Sequence, residues 1–332
     1  MSNSFISVEA LRKALGEIAA SSEYTLFAPV RSGKTLDFAE ITDGSQAVIS
    51  DEIAYKSPKE VLFPQVEKLM TFKDGEVAEE IDNRKTVVFG AKPCDADALR
   101  VLHAILTAGK FEDPFFKRRF DNNVLIAVGC ENQKPGCFCA ERGTSMQYSD
   151  FADIMLMPAC DGYKVTHISE KGVPFAKEFF GILEADSGSV CGVIGEDNVK
   201  MVELDKNLED AELFDIIDWG KTTEICQGGG MCTVICPSCH CFDIKDVSEK
   251  GETSRYRCWD SCMYPKFTLH ASGHNPRETV KERFRQRILH KYLYVNKNFG
   301  YVACTGCGRC IRSCPTGMNI RKVVESIMEV LP

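Results

Sequence analysis

A chain of 332 residues, 44% hydrophobic and 27% charged, is long enough for two domains with separate cores and has an ordinary globular composition. Its formal net charge of −8 argues against nucleic acid or an anionic membrane surface as the main partner, and no apolar run approaches a membrane span. The start, Met-Ser-Asn-Ser-Phe-Ile-Ser, has neither the basic nor the apolar region of a signal peptide, so a cytoplasmic location is expected. In that compartment 17 cysteines act as metal ligands or free thiols rather than as disulfides.

Residues 7–20 place Val8, Leu11, Leu15 and Ile18 at helical spacing, with Ser7 as the N-cap. A short apolar run, 25–30, reads as a strand. Ser32-Gly33-Lys34-Thr35 resembles the end of a phosphate-binding loop. The position five residues before Gly33 holds Ala28 where that loop requires glycine, so the stretch reads as a turn.

The run Lys85–Ala91 is apolar enough for a buried strand. It leads into Lys92-Pro93-Cys94-Asp95, and Asp95 can cap a helix over 96–108. A second buried strand, 123–128, ends in Gly129-Cys130-Glu131. Two strands that each end in a cysteine bring Cys94 and Cys130 to one sheet edge, where open α/β sheets place their ligands. Cys137-Phe138-Cys139 follows closely, so Cys94, Cys130, Cys137 and Cys139 can converge on a cluster. The alternative is two small buried cysteines and an incidental Cys-x-Cys. Two short strands, 153–158 and 163–168, form a meander. Cys160 and Cys191 have no partner at ligand spacing and read as structural. An acidic helix over 208–219 then hands over to the cysteine-rich region. Residues 1–220 are thus expected to form an α+β, α/β-like domain with a mixed sheet, and 221–332 a mostly α-helical, two-cluster ferredoxin-like domain.

The strongest pattern is Cys304-Thr-Gly-Cys307-Gly-Arg-Cys310-Ile-Arg-Ser-Cys314-Pro315, the bacterial-ferredoxin spacing for a [4Fe–4S] cluster. Three thiolates on a short loop reach three irons of one cube, and the glycines let the backbone fold closely around it. The fourth cysteine of such a run ligates the other cluster of a pair, so a second copy is expected. It stands at Cys226-Gln-Gly-Gly-Gly-Met-Cys232-Thr-Val-Ile-Cys236-Pro237, with Gly229 where the second cysteine belongs. Crossed ligation gives one complete site, Cys304, Cys307, Cys310 and Cys236. The other has Cys226, Cys232 and Cys314, one ligand short. Cys239, Cys241, Cys258 and Cys262 are candidates for the gap; otherwise three thiolates hold a [3Fe–4S] cluster. Two or three [4Fe–4S] clusters are expected in all, one of which could be [3Fe–4S]. A basic helix over 277–291 and an amphipathic helix over 320–330 complete the chain.

Together, Cys94-Asp95, Cys130-Glu131 with Cys137-Phe138-Cys139, Cys226 to Cys241, Trp259 to Lys291 and Cys304 to Pro315 resemble the A subunit of anaerobic sulfite reductase. They equally resemble the related β subunit of cytoplasmic sulfhydrogenases. The resemblance spans about residues 90–315. It implies an iron–sulfur relay of anaerobic metabolism that passes electrons between a flavin-binding reductase subunit and a catalytic subunit, with no nucleic acid or membrane partner. The family pattern has a cysteine at Gly229 and none at Cys258. A compensating pair would explain both departures, with Cys258 joining Cys226, Cys232 and Cys314. No Gly-x-Gly-x-x-Gly follows a strand and no phosphate loop is complete, so electrons must arrive from a partner. A competing reading takes Cys226-x5-Cys232 with Cys258-x3-Cys262 as the paired motifs of a catalytic sirohaem-type sulfite-reducing site. A DNA-binding redox sensor is disfavoured by the acidic charge.

Overall fold

The structure is a computed structural model that describes residues 4–185, 201–202, 204–205, 207–208 and 210–331. The chain divides into two compact units. The first comprises Met1–Phe63, Ile81–Lys134 and Gly143–Val199, and the second Pro64–Glu80, Pro135–Arg142 and Lys200–Pro332. In chain order the strands are β1 (Phe5–Ser7), β2 (Tyr24–Ser32), β3 (Thr35–Ile41), β4 (Val66–Lys73), β5 (Glu76–Glu79) and β6 (Lys85–Ala91). They continue with β7 (Asn123–Val128), β8 (Ile154–Ala159), β9 (Gly162–Ile168), β10 (Phe242–Glu249) and β11 (Glu252–Trp259).

The first unit is built on a seven-stranded sheet of order β1-β9-β8-β7-β6-β2-β3. β2, β6, β7 and β8 run parallel, and β3, β9 and β1 pair antiparallel at the edges, so the sheet is mixed as expected. Every residue of β7 is buried, which is why its sequence is apolar without alternation. The helix Val8–Ala20 starts where Ser7 Oγ accepts from Ala10 N–H at 3.1 Å, and it lays Leu11, Leu15 and Ile18 on the core. Ser32-Gly33-Lys34-Thr35 is the β2–β3 hairpin turn, with Gly33 at φ +58.

At the end of β6 a bulge between Phe89 and Ala91 re-aims the chain into Lys92-Pro93-Cys94. Gly90 makes it possible, at φ +84 with Pro29 Cγ only 2.8 Å from where a Cβ would stand. The following helix, Pro93–Thr107, begins before Asp95 rather than after it. Asp95 occupies its third position and its carboxylate accepts from Lys92 N–H at 3.2 Å.

The second unit carries the helical cysteine-rich region and, in addition, a four-stranded antiparallel sheet of order β10-β11-β4-β5. Buried on this sheet, Arg257 Nε donates to Glu67 Oε2 at 3.0 Å. The basic stretch forms a helix, Val280–Leu289, started by Thr279 N–H donating to Glu282 Oε2 at 2.7 Å. It widens into a π-helical turn, His290–Tyr294. One face of this stretch, Phe284, Ile288, Leu289, Tyr292 and Leu293, packs with Val324 and Ile327 of the helix Ile320–Val330. Arg283, Arg287 and Lys291 are buried with it, so this is no solvated charge run.

Candidate metal centres

The two cysteine motifs fold into loops of the same backbone form. Gly228 and Gly230 lie at φ +70 and +74, Gly306 and Gly308 at φ +65 and +69. Gly230 precedes the short helix Met231–Val234 as Gly308 precedes Arg309–Arg312. Cys226 therefore keeps step with Cys304, Gly229 with Cys307, Cys232 with Cys310 and Cys236 with Cys314. Left-handed backbone at two points per loop turns successive residues inward, and only glycine takes it without strain. Gly306 has a second reason: a Cβ there would stand 2.6 Å from Cys139 Cα and N.

The thiols group across the motifs. Burial pushes the Cys310 thiol up, Arg287 opposes this, and the neighbouring sulfurs that add to it are Cys307, Cys236 and Cys304. Cys226 is likewise raised, by burial first, and the sulfurs beside it are Cys232 and Cys314. Each group thus draws one member from the far end of the other motif. A cavity of about 350 Å³ opens at the second group, lined by Cys226, Cys232, Cys310, Cys314, the Gly228–Gly230 loop and Arg287.

Two cations of the basic helix reach these sulfurs. Arg287 Nε donates to Cys232 Sγ at 3.2 Å and Nη2 to Cys232 O at 3.0 Å. Four residues on, Lys291 Nζ donates to Cys236 Sγ at 3.2 Å, to Ser238 Oγ at 2.9 Å and to Ala303 O at 2.6 Å. Burial would strip the proton from Lys291, yet the charges of Cys236 and Cys239 outweigh it and raise its pKa. Arg142 Nε donates to Cys304 O at 3.3 Å.

An anionic iron–sulfur cube fits this lining. Arg287 is 3% exposed, lines the cavity, and among the described residues its Nη1 has no hydrogen-bond partner, as expected of a donor aimed at an inorganic sulfide.

The remaining cysteines fall as follows. Cys94 and Cys130 belong to the first unit, both buried near Lys92. Burial lowers the Lys92 pKa, and Cys130, Asp51, Asp95 and Cys94 oppose the shift. Cys137 and Cys139 belong to the second unit, against the Cys304–Cys310 loop. Phe138 N–H donates to Gly306 O at 2.8 Å, and Cys137 Sγ lies 3.3 Å from Cys307 O and 3.4 Å from Arg312 Nη1. Cys258 sits on β11, opposite Asp243 of β10 and Val66 of β4, and does not line the cavity beside Cys226. Cys160 is exposed, and Cys191 lies outside the described residues.

Of the candidates for the gap, Cys239 contacts Cys236 and Cys262 contacts Cys241 by their thiols, with Cys239 also near Cys262.

Two loops of ferredoxin form define an iron–sulfur protein, and residues 225–318 match the family described as 4Fe-4S dicluster domain. Over 315 residues the chain is 30% identical to sulfhydrogenase 2 subunit beta of Pyrococcus furiosus, covering 92% of this chain and 93% of that one. The chain therefore belongs to the sulfhydrogenase β-subunit family and is an iron–sulfur electron-transfer subunit. No solved structure matches it. Among the described residues no helix is long and apolar enough to cross a membrane.

Proposed function

We propose that this subunit relays single electrons between a flavin-binding reductase subunit and a catalytic redox subunit, in a complex of the sulfite reductase or hydrogenase type. The observation that carries the reading is the crossed grouping of thiols, Cys304, Cys307, Cys310 and Cys236 in one set and Cys226, Cys232 and Cys314 in the other. When bound, each iron–sulfur cluster supplies a one-electron carrier. The protein's part is to hold and tune it. The thiols fix the two positions, Arg287 and Lys291 offset negative charge beside them, and the apolar face from Phe284 to Leu293 excludes water on one side. A further cluster on Cys94, Cys130, Cys137 and Cys139 rests on the sequence pattern.

The sirohaem alternative draws no such support, because neither Cys258 nor Cys262 lines the cavity that Cys226 and Cys232 share. The test is anaerobic purification of the tagged full chain from its own host. The expected result is a complex holding a flavoprotein and a second redox subunit, with the clusters bleached when the flavin is reduced. A chain that purifies with sirohaem bands of its own, or whose clusters no flavoprotein partner reduces, would overturn the reading.

A further inference from the structure

The loop Gln227–Met231 repeats the backbone of Thr305–Arg309, with both flanking glycines left-handed to within a few degrees. Gly229 is therefore the structural counterpart of Cys307, not merely its counterpart in spacing. A Cβ built on Gly229 meets no atom within 4 Å, and its φ is outside the left-handed range, so the space a thiolate would use is open. Among the described residues no other cysteine comes within 4 Å of that Cβ. The cavity is lined by Cys226, Cys232, Cys314 and Cys310, of which Cys310 has the sulfurs of the first set, Cys307, Cys236 and Cys304, beside it, and Cys258 lies on β11. Met231 and Met263 line the same cavity, with the buried guanidinium of Arg287, whose Nη1 is unsatisfied among the described residues.

We propose that the Gly228–Gly229–Gly230 loop makes the second site a position where one corner is closed by an exchangeable small anion with a soft donor atom, rather than by the protein. The inference rests on the reading of Cys226, Cys232 and Cys314 as cluster ligands. A thiolate-bearing loop encloses all four irons; this one leaves a mouth beside an Arg287 poised for negative charge. Soft donors such as hydrosulfide, low-molecular-weight thiolates or cyanide suit iron in this setting, and the apolar thioether wall disfavours large or strongly hydrated anions.

The test compares the full-length wild type with Gly229→Cys by electron paramagnetic resonance and carbon-13 ENDOR. Treatment with ferricyanide should convert the wild-type cluster to [3Fe–4S]: one ferrous ion leaves, one electron passes to ferricyanide, and the three remaining irons keep their sulfides. Labelled cyanide added to the reduced wild type should give a carbon-13 coupling. Gly229→Cys should lose both responses and retain a [4Fe–4S] signal. Gly229→Ser, which adds an oxygen ligand in the same open space, should suppress them too and serves if the cysteine variant folds poorly.

A wild type that resists both treatments overturns the proposal, and so does a Gly229→Cys protein that still responds. Cys232→Ser separates this from failure of the underlying reading: if that variant keeps the full iron and sulfide content of the wild type, the second cluster itself is misplaced.

Discussion

The ammonium of Lys291 lies 3.2 Å from the sulfur of Cys236, a cysteine whose partners Cys304, Cys307 and Cys310 come from the other motif. At that range, with an effective dielectric of about 20, a unit charge is worth about 5 kcal/mol, an upper limit where a cube spreads its charge. Lys291→Gln should therefore lower the potential of the cluster on this set by roughly 100 mV. Lys291→Arg, which keeps the charge, should leave it near the wild-type value. A potentiometric titration followed by electron paramagnetic resonance checks both.

The crossed grouping has a direct genetic signature. Cys236→Ser should delete the same signal as Cys310→Ser, although the two residues belong to different motifs. Cys314→Ser should delete the same signal as Cys226→Ser. Difference spectra of the four variants decide it; deletion motif by motif would mean uncrossed ligation.

Glycine is required at Gly306 and not at Gly229. Gly306→Ala puts a Cβ on left-handed backbone and within 2.6 Å of Cys139, and should cost about 1–3 kcal/mol with loss of the adjacent cluster. Gly229→Ala meets open space and should fold with near wild-type stability. Thermal denaturation with iron analysis measures the contrast.

Which of these features the sequence could reveal follows from how local their causes are. The two cysteine runs were legible because short loops around a cube fix their spacing, and β6 and β7 because strands buried on both faces are apolar throughout. The sheet holding β10 and β11 was not legible. β10 is exposed at all 8 positions and shows no alternation, and β11 pairs with β4, which is distant in the chain. Nor was the burial of Arg287 and Lys291, since a buried cation is stable only beside sulfurs that the sequence places 55 residues away.

Within that sheet, Glu67 and Arg257 are 2% and 3% exposed at their side chains. Glu67→Ala takes the carboxylate away from a buried guanidinium and should destabilise the second unit by about 3–5 kcal/mol. Replacing both with apolar residues should restore much of the loss. Denaturant unfolding of the single and double variants tests the coupling.

His290 gives the fold an acid limit. Burial, then the charges of His240, Lys291 and Arg277, lower its pKa from 6.5 to about 4. Between those values the unfolded chain binds a proton that the folded chain does not, so stability falls as pH drops from 6.5 towards 4. The loss should approach about 3 kcal/mol, at about 1.4 kcal/mol per pH unit, and His290→Gln should flatten the profile.

The central claim is that one chain carries two neighbouring one-electron centres on exchanged cysteines. Its most direct test is electron paramagnetic resonance of the anaerobically purified, fully reduced protein, with iron and sulfide measured on the same sample. Two magnetically interacting signals are expected from the dicluster region, with Cys310→Ser leaving one of them, now uncoupled. A protein that binds zinc in place of iron, or that gives no interacting pair when fully loaded and reduced, would contradict it.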